Sequence, residues 1–184
     1  MNRTLSLIAL VLATAATSFA GQAVSCKKVV APAEECRFRA NEWQVDAAVV
    51  GAGGNYNGKS GGGVGGNLGI NYFFTQYIGI GVDNSVGGFW PWSGAGAVGV
   101  DSLQADLLLR YPICSWNLAP YLMVGGGATW GPASQGDGNV GGGLEWRFAQ
   151  NVGLFADCRW LYGTGAPNGN LSMALPRVGL RFNF

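Results

Sequence analysis

The stretch "PRVGLRFNF", residues 176–184, ends the sequence on an aromatic side chain. At a spacing of two residues its apolar side chains share one face, and the intervening face holds Arg177, Gly179, Arg181 and Asn183. Terminal residues of soluble domains usually fray in water, so this is an unusual position for exposed apolar surface. The pattern predicts an amphipathic β-strand whose apolar face continues to Phe184.

The same alternation occurs in seven segments further upstream. In chain order the eight predicted strands are residues 43–53, 64–74, 77–85, 102–111, 118–128, 140–148, 152–162 and 172–184. Their charged side chains all fall on the face opposite the apolar one: Asp46, Asp83, Asp106, Arg110, Glu145, Arg147, Asp157, Arg159, Arg177 and Arg181. Five acids and five arginines on one face predict an ion-pair network.

The composition favours a membrane environment for these strands. The chain is 48% hydrophobic and only 11% charged, whereas a water-soluble surface carries about 25–35% charged residues. Beyond the first 20 residues no apolar run approaches the roughly 20 residues of a membrane-spanning helix. A closed β-sheet is compatible both with the low charge content and with the lack of a membrane-spanning helix, because its strands alternate lipid-facing and lumen-facing side chains. We therefore predict an all-β, eight-stranded antiparallel up-and-down transmembrane β-barrel over residues 43–184.

An antiparallel sandwich with one solvated face is the alternative, since it alternates similarly. Its solvated face should carry Lys, Thr and Ser, and the predicted strands contain no Lys. Connections of alternating length favour the barrel: residues 54–63, 86–101, 129–139 and 163–171 are long, and the other three are short. Outer-membrane barrels have short periplasmic turns and longer extracellular loops. One predicted long loop contains three aromatic residues, Phe89, Trp90 and Trp92. We expect them to act as anchors at the membrane interface or as contacts to a partner.

The first residues predict export. Residues 1–20 combine Arg3, an apolar run and small residues before the expected cleavage site, as in a secretory signal peptide. An uncleaved N-terminal anchor is the alternative, and a lipoprotein site at Cys26 is disfavoured by its distance from the apolar run. Residues 21–42 are then a periplasmic segment that precedes the barrel.

Four runs carry a resemblance to a known family: "NYFFTQYIGIGVD", "DLLLRYPI", "APYLMVGGGA" and "GGGLEWRFAQNVGLFADCRWLY". Together with the terminal strand, they resemble the eight-stranded outer-membrane barrels of the OmpA transmembrane-domain and OmpX type. The resemblance implies a location in the outer membrane of a Gram-negative-type bacterium, in contact with its lipid. It also implies that Gly179, Leu180, Phe182 and Phe184 form the C-terminal signal recognised by the barrel-assembly machinery. We expect no cell-wall attachment, because no peptidoglycan-binding domain follows the barrel.

Four cysteines fit an oxidising compartment. We predict a disulfide between Cys26 and Cys36, with pairing of either to Cys114 as the alternative. Cys158 falls on the lipid-facing parity of its strand. No metal site or cofactor is expected, because the chain has no His and lacks a metal-binding cysteine spacing.

The sequence favours a structural role over catalysis. Without a His, a usual general base is missing, and acids beside arginines are more often structural ion pairs than perturbed catalytic groups. A net charge of +1 gives no basic footprint for nucleic acid. We predict a monomeric, non-enzymatic barrel whose narrow lumen is filled by side chains. A surface-binding module that uses its loops, and a small pore or carrier, are the alternatives.

Overall fold

The computed structural model describes residues 36–56, 58–94, 96–131, 134–164 and 170–184, which form a closed antiparallel β-barrel. Its strands are β1 (Glu42–Tyr56), β2 (Lys59–Phe73), β3 (Ile78–Pro91), β4 (Val98–Arg110), β5 (Leu118–Trp130), β6 (Gln135–Trp146), β7 (Val152–Gly163) and β8 (Leu171–Asn183). Each strand pairs with the next, and β8 pairs with β1. The predicted fold class is confirmed. The predicted signal peptide and Cys26 lie outside the described residues. Within those residues no helix is long and apolar enough to cross a membrane.

The pairing register sorts side chains between the outside and the lumen. Val45 of β1 lies opposite Ile70 and Phe182, and all three are exposed on the outer surface. The next residue, Asp46, lies opposite Gly69 and Arg181. Asp46 and Arg181 are buried. Because residues opposite one another in a sheet share a face, the apolar parity covers the outside of the barrel, as predicted.

Several connections predicted as long loops are strand instead. Only residues 57 and 58 separate β1 from β2, and β3 extends to Pro91. These stretches are rich in Gly, which has no side chain to reveal an alternating pattern. The prediction of loop aromatics is therefore wrong for Phe89 and Trp90, which lie in β3; Phe89 is 2% exposed. The statement that the strands contain no Lys also fails, because β2 begins at Lys59.

Two ends of the barrel can be distinguished. The end where β1 begins and β8 finishes is called the terminal end, and the opposite one the loop end. A short 3-10 turn, Cys114–Trp116, joins β4 to β5 at the terminal end. Residues 36–41 precede β1 at the same end.

The disulfide joins Cys36 to Cys114, with the two Cα atoms 4.9 Å apart. The predicted Cys26–Cys36 pair is therefore wrong, and the alternative pairing with Cys114 is the one formed. Cys36 pairs with Cys114 because residues 36–41 fold against the terminal end of the barrel, where Cys114 lies. There Arg37 donates to the carbonyl of Arg147. Cys158 is free and exposed on the outer surface, as its parity predicted.

Candidate functional site in the barrel lumen

The charged residues predicted to face inward all lie buried in the lumen. Glu42, placed by the sequence in the preceding segment, joins them as the first residue of β1. We call this set the lumen network: Glu42, Asp46, Asp83, Asp106, Arg110, Glu145, Arg147, Asp157, Arg159, Arg177 and Arg181. It contains six carboxylates and five guanidinium groups, rather than the equal numbers predicted. They are buried because inward positions of strands that close a narrow barrel have no solvent beside them.

Two arginines converge on Glu42 near the terminal end. Arg147 donates from Nη1 to Glu42 Oε2 at 2.7 Å and from Nη2 to Oε1 at 2.6 Å. Arg110 Nη1 donates to the same Oε1 at 3.1 Å. Arg147 also donates from Nε to Glu145 Oε1 at 2.6 Å. Planar guanidinium groups suit such two-oxygen contacts, which are both strong and directional.

The network continues across the seam between β1 and β8. Arg181 Nη1 donates to Glu145 Oε2 at 2.9 Å. The same guanidinium donates from Nε and Nη2 to the two oxygens of Asp46, at 2.7 and 2.6 Å. Asn71 Nδ2 donates to Asp46 Oδ2 at 2.9 Å. Arg181 thus links an acid of β6 to an acid of β1, and the ion pairs reinforce the closure of the sheet.

A second cluster lies closer to the loop end. Arg159 donates to Asp83 Oδ2 at 2.7 Å and also to Asp106. Arg177 Nε donates to Asp157 Oδ1 at 2.8 Å, and its Nη1 lies 3.1 Å from Asp83 Oδ1. Each carboxylate of the lumen network therefore contacts at least one guanidinium. Complete pairing matters here, because a buried charge without its partner costs several kcal/mol.

Aromatic rings connect the two clusters. The guanidinium of Arg181 lies 4.7 Å from the ring centre of Phe155 and 5.2 Å from that of Tyr121. Tyr121 also donates its hydroxyl to Asp157 Oδ2 at 2.6 Å. Cation–π contacts of this kind become stronger when water is excluded. Tyr121 therefore contacts members of both clusters, Arg181 and Asp157.

Phe38 packs against the lumen network at the terminal end. It is 2% exposed, and its ring centre lies 4.2 Å from the Arg147 guanidinium and 5.0 Å from that of Arg110. Arg147 Nη1 donates to the carbonyl oxygen of Arg37. The Arg37 side chain in turn donates from Nη1 to the carbonyl oxygen of Arg147. The Cys36–Cys114 disulfide holds the same segment. Residues 36–41 are therefore tied to the barrel by covalent, polar and aromatic contacts.

Sequence reasoning missed Glu42 and Phe38, for different reasons. Glu42 shares the inward parity of Gln44 and Asp46 and lies one residue before the predicted strand, so a longer strand would have found it. Phe38 precedes all regular structure, and nothing in its sequence neighbourhood signals its position. Inward amides were also missed, among them Asn67, which donates to Asp83 Oδ1 at 2.9 Å.

The remaining predicted residues lie away from the lumen. Trp92 follows β3 and is 77% exposed, whereas Trp90 lies on the outer surface of β3. Leu180, Phe182 and Phe184 lie on the outer surface of the last strand, and Gly179 is half-buried opposite Ala48. In the described ranges, no group of His, Cys, Asp and Glu side chains is arranged to hold a metal ion.

Comparisons with solved structures test the fold. No protein-family model and no curated protein matches the sequence. Among solved structures, Neisserial surface protein A has a TM-score of 0.62 at 17% identity, over 78% of this chain and 96% of that one. OprG of Pseudomonas aeruginosa has a TM-score of 0.57 at 8% identity, over 82% and 99%. Ail, the attachment invasion locus protein of Yersinia pestis, has a TM-score of 0.56 at 16% identity, over 79% and 99%.

These similarities establish the fold. The chain has the architecture of the small eight-stranded outer-membrane β-barrels, as the resemblance in its sequence predicted.

Proposed function

We propose that the protein is a monomeric, structural outer-membrane β-barrel without enzymatic activity, whose lumen is closed by its own side chains. The lumen network is the observation that carries this proposal. An eight-stranded barrel is just wide enough inside to be filled by side chains. Here arginines and carboxylates from six of the eight strands meet across that space, and Phe38 covers them at the terminal end.

The outer surface supports a location in lipid. Its exposed side chains along the strands are mainly apolar, and aromatic residues lie toward both ends. Tyr72, Tyr111 and Trp146 lie toward the terminal end, and Trp130 and Trp160 toward the loop end. Such aromatic girdles mark the two membrane interfaces of outer-membrane barrels. Together with the predicted signal peptide and C-terminal assembly signal, they support the proposed location in the outer membrane, with the terminal end in the periplasm.

The pairing of the buried carboxylates supports the proposed absence of enzymatic activity. Every carboxylate of the lumen network is paired with a guanidinium, and three of the six, Glu42, Asp83 and Glu145, contact two or more arginines. A general base needs an available lone pair within reach of a substrate proton. Carboxylates held in this way serve as structural counter-ions.

The closed-lumen proposal is tested against the small-pore alternative by conductance. We expect the purified protein in planar bilayers to show no large, stable channel, and Arg159→Ala to introduce a leak because Asp83 and Asp106 lose a shared partner. Large and stable conductance of the unmodified protein would reject the closed lumen. Cell fractionation with a heat-modifiability gel tests the location, since a barrel in the outer membrane should migrate differently before and after boiling.

A further inference from the structure

A polar pair interrupts the apolar outer surface of the barrel near the loop end. Asp101 of β4 lies opposite Val86 and Trp130 in the pairing register, and both neighbours are exposed on the outside. Asn84 of β3 also lies on the outward parity, and it donates from Nδ2 to Asp101 Oδ1 at 2.7 Å. A charged group that faces lipid is unfavourable, and such groups usually have a specific partner.

The pair has unused hydrogen-bond acceptors. In the part of the chain that the structure describes, no Arg or Lys side chain forms an ion pair with Asp101. The same described residues offer no donor to Asp101 Oδ2 or to the side-chain oxygen of Asn84. An ionised carboxylate and an amide oxygen accept hydrogen bonds, so this surface selects a partner that supplies a donor.

Two adjoining depressions in the outer surface lie beside this pair. They share Leu68 and Asn84, which face each other in the pairing register. The depression toward the loop end has a volume of about 420 Å³, and its lining includes Ala47, Gly66 and Val86. The depression toward the terminal end has a volume of about 370 Å³, and its outward walls are aliphatic: Val45, Ile70, Val82 and Leu103. We call the two depressions together the outer groove.

The lack of a side chain at Gly66 opens the outer groove. A Cβ atom on Gly66 would lie 4.0 Å from its nearest neighbouring atom, the carbonyl oxygen of Ala48, so the packing of the barrel does not require glycine there. Gly65, on the inward parity, is different, because a Cβ atom on it would clash with the backbone of β3. Glycine inside a strand costs backbone entropy and has no side chain to pack. At residue 66 it leaves space on the outside, between Ala47 and Val86.

We propose that the outer groove binds one membrane lipid whose acyl chain carries a hydroxyl or an amide N–H close to the headgroup. The inference rests on the proposed location of the barrel in the outer membrane. The lipid donor bonds to Asp101 Oδ2, and the hydrocarbon chain lies along Leu68 between the aliphatic walls. The depth agrees, because Asp101 lies opposite Trp130, one of the aromatic residues that mark the loop-end interface. The Asp101 carboxylate repels a phosphate, so the lipid is recognised through its donor.

Side-chain amide NMR on the full protein in phosphatidylcholine nanodiscs tests this proposal, because phosphatidylcholine has no hydrogen-bond donor. The probe is N-tetradecanoylethanolamine, which has an amide N–H and a hydroxyl, and methyl tetradecanoate supplies the same chain without a donor. We expect a saturable shift of the Asn84 side-chain amide signal with the probe and a much weaker effect with the ester. Asn71, which donates to Asp46 in the lumen, is the internal control and should not shift.

The outcomes separate the outer groove from the location of the barrel. An inserted barrel whose Asn84 signal moves only linearly with probe concentration would show simple partition into the bilayer and reject the groove alone. Equal saturable shifts with the probe and the ester would reject recognition through a donor. A protein that does not insert into the nanodiscs would reject the proposed location and the groove with it.

Two variants locate the bound lipid. Gly66→Leu fills the outer groove and should abolish the saturable shift. Gly138→Leu, the matched control, should preserve it, because Gly138 is also outward and a Cβ atom there would lie 3.8 Å from its nearest neighbouring atom. Asp101→Asn keeps the shape but removes the charge, so it should weaken binding of the probe about fivefold. This variant remains informative if Gly66→Leu does not fold. A saturable shift that survives Gly66→Leu, or equal binding with and without the Asp101 charge, would overturn the assignment.

Discussion

Arg147 and Glu42 form a two-oxygen ion pair across 105 residues of sequence, with nitrogen–oxygen distances of 2.7 and 2.6 Å. The pair joins the first residue of β1 to the residue that follows β6. Phe38 stacks on the same guanidinium, and Arg37 exchanges hydrogen bonds with the Arg147 backbone and side chain. One arginine therefore holds both the start of the barrel and the segment that covers it.

Removal of the Glu42 charge should destabilise the barrel strongly. In Glu42→Gln, Arg110 and Arg147 keep their charges but lose a shared counter-ion at a fully buried site. Breaking one side of a buried ion pair costs about 3–5 kcal/mol, and we expect an effect of this size in urea unfolding from lipid vesicles. Lys59→Gln removes an exposed charge at the loop end and should change stability by about 0.5 kcal/mol or less. Equal effects of the two substitutions would contradict a paired Glu42.

The disulfide should stabilise the protein through the loop that it closes. Cys36 and Cys114 are 78 residues apart, and the chain-entropy relation gives about 4.5 kcal/mol for such a loop. We expect the double variant Cys36→Ser, Cys114→Ser to unfold at a lower urea concentration than the parent. Cys158→Ser is the control and should unfold as the parent does, because that thiol is free. Peptide mapping without reductant gives a separate check, and a Cys26–Cys36 peptide would contradict the structure.

The outer surface predicts a penalty for charges in lipid. Leu107 and Leu144 are exposed on the outside of β4 and β6. Replacement of either by Arg should cost about 2–4 kcal/mol near the bilayer midplane, measured by folding into vesicles. Trp92→Arg, which places the same group beyond the end of β3, should have little effect. If both Leu variants fold as stably as the parent, the assignment of the lipid-facing surface is wrong.

Substitution of the last residue, Phe184, distinguishes a role in targeting from a role in stability. Phe184 exchanges backbone hydrogen bonds with Trp43 at 2.9 and 3.2 Å, but its side chain is 67% exposed. Phe184→Ala preserves these hydrogen bonds, so its stability in detergent should change by less than about 1 kcal/mol. If the residue belongs to the assembly signal, the amount of protein in the outer membrane should fall sharply. Tyr111→Ala, an equally exposed aromatic residue at the same end, is the control. Equal membrane levels of the parent and Phe184→Ala would refute the signal.

The alternation of outward apolar and inward side chains made most of the fold predictable from the sequence. Where this alternation is absent, the predicted strand boundaries were wrong. In β4, the outward apolar residues Leu103, Ala105, Leu107 and Leu109 alternate with inward residues that include Gln104 and Asp106, so both the strand and its orientation follow from the sequence. The end of β1 and the beginning of β2 contain Gly51, Gly53, Gly61 and Gly63, which give no such pattern. There the hydrogen bonds of the ladder form the strand without help from side-chain chemistry.

The extension of β4 also revealed an acid that the predicted strand excluded. Asp101 lies on the outward parity near the loop end and accepts from Asn84 Nδ2 at 2.7 Å. Ten of the eleven members of the lumen network were predictable from parity within the predicted strands, and Glu42 was missed because the first predicted strand began one residue too late. The individual ion pairs of the network could not be predicted from the sequence. Arg159 and Asp83, for example, are 76 residues apart, and the barrel geometry decides which inward residues lie at the same height along the barrel axis.

The seam between β1 and β8 has a consequence for the time course of assembly. Asp46 and Arg181, which pair across it, are 135 residues apart. Contacts between such distant residues form slowly, because a long chain must be closed before they contribute. As the barrel folds, β1 can pair with its sequence neighbour β2 early, but its other edge stays unpaired until β8 joins it. Unpaired edges invite pairing with other chains. The interval in which this protein can misassociate is therefore set by the arrival of its last strand rather than by the formation of its first hairpin.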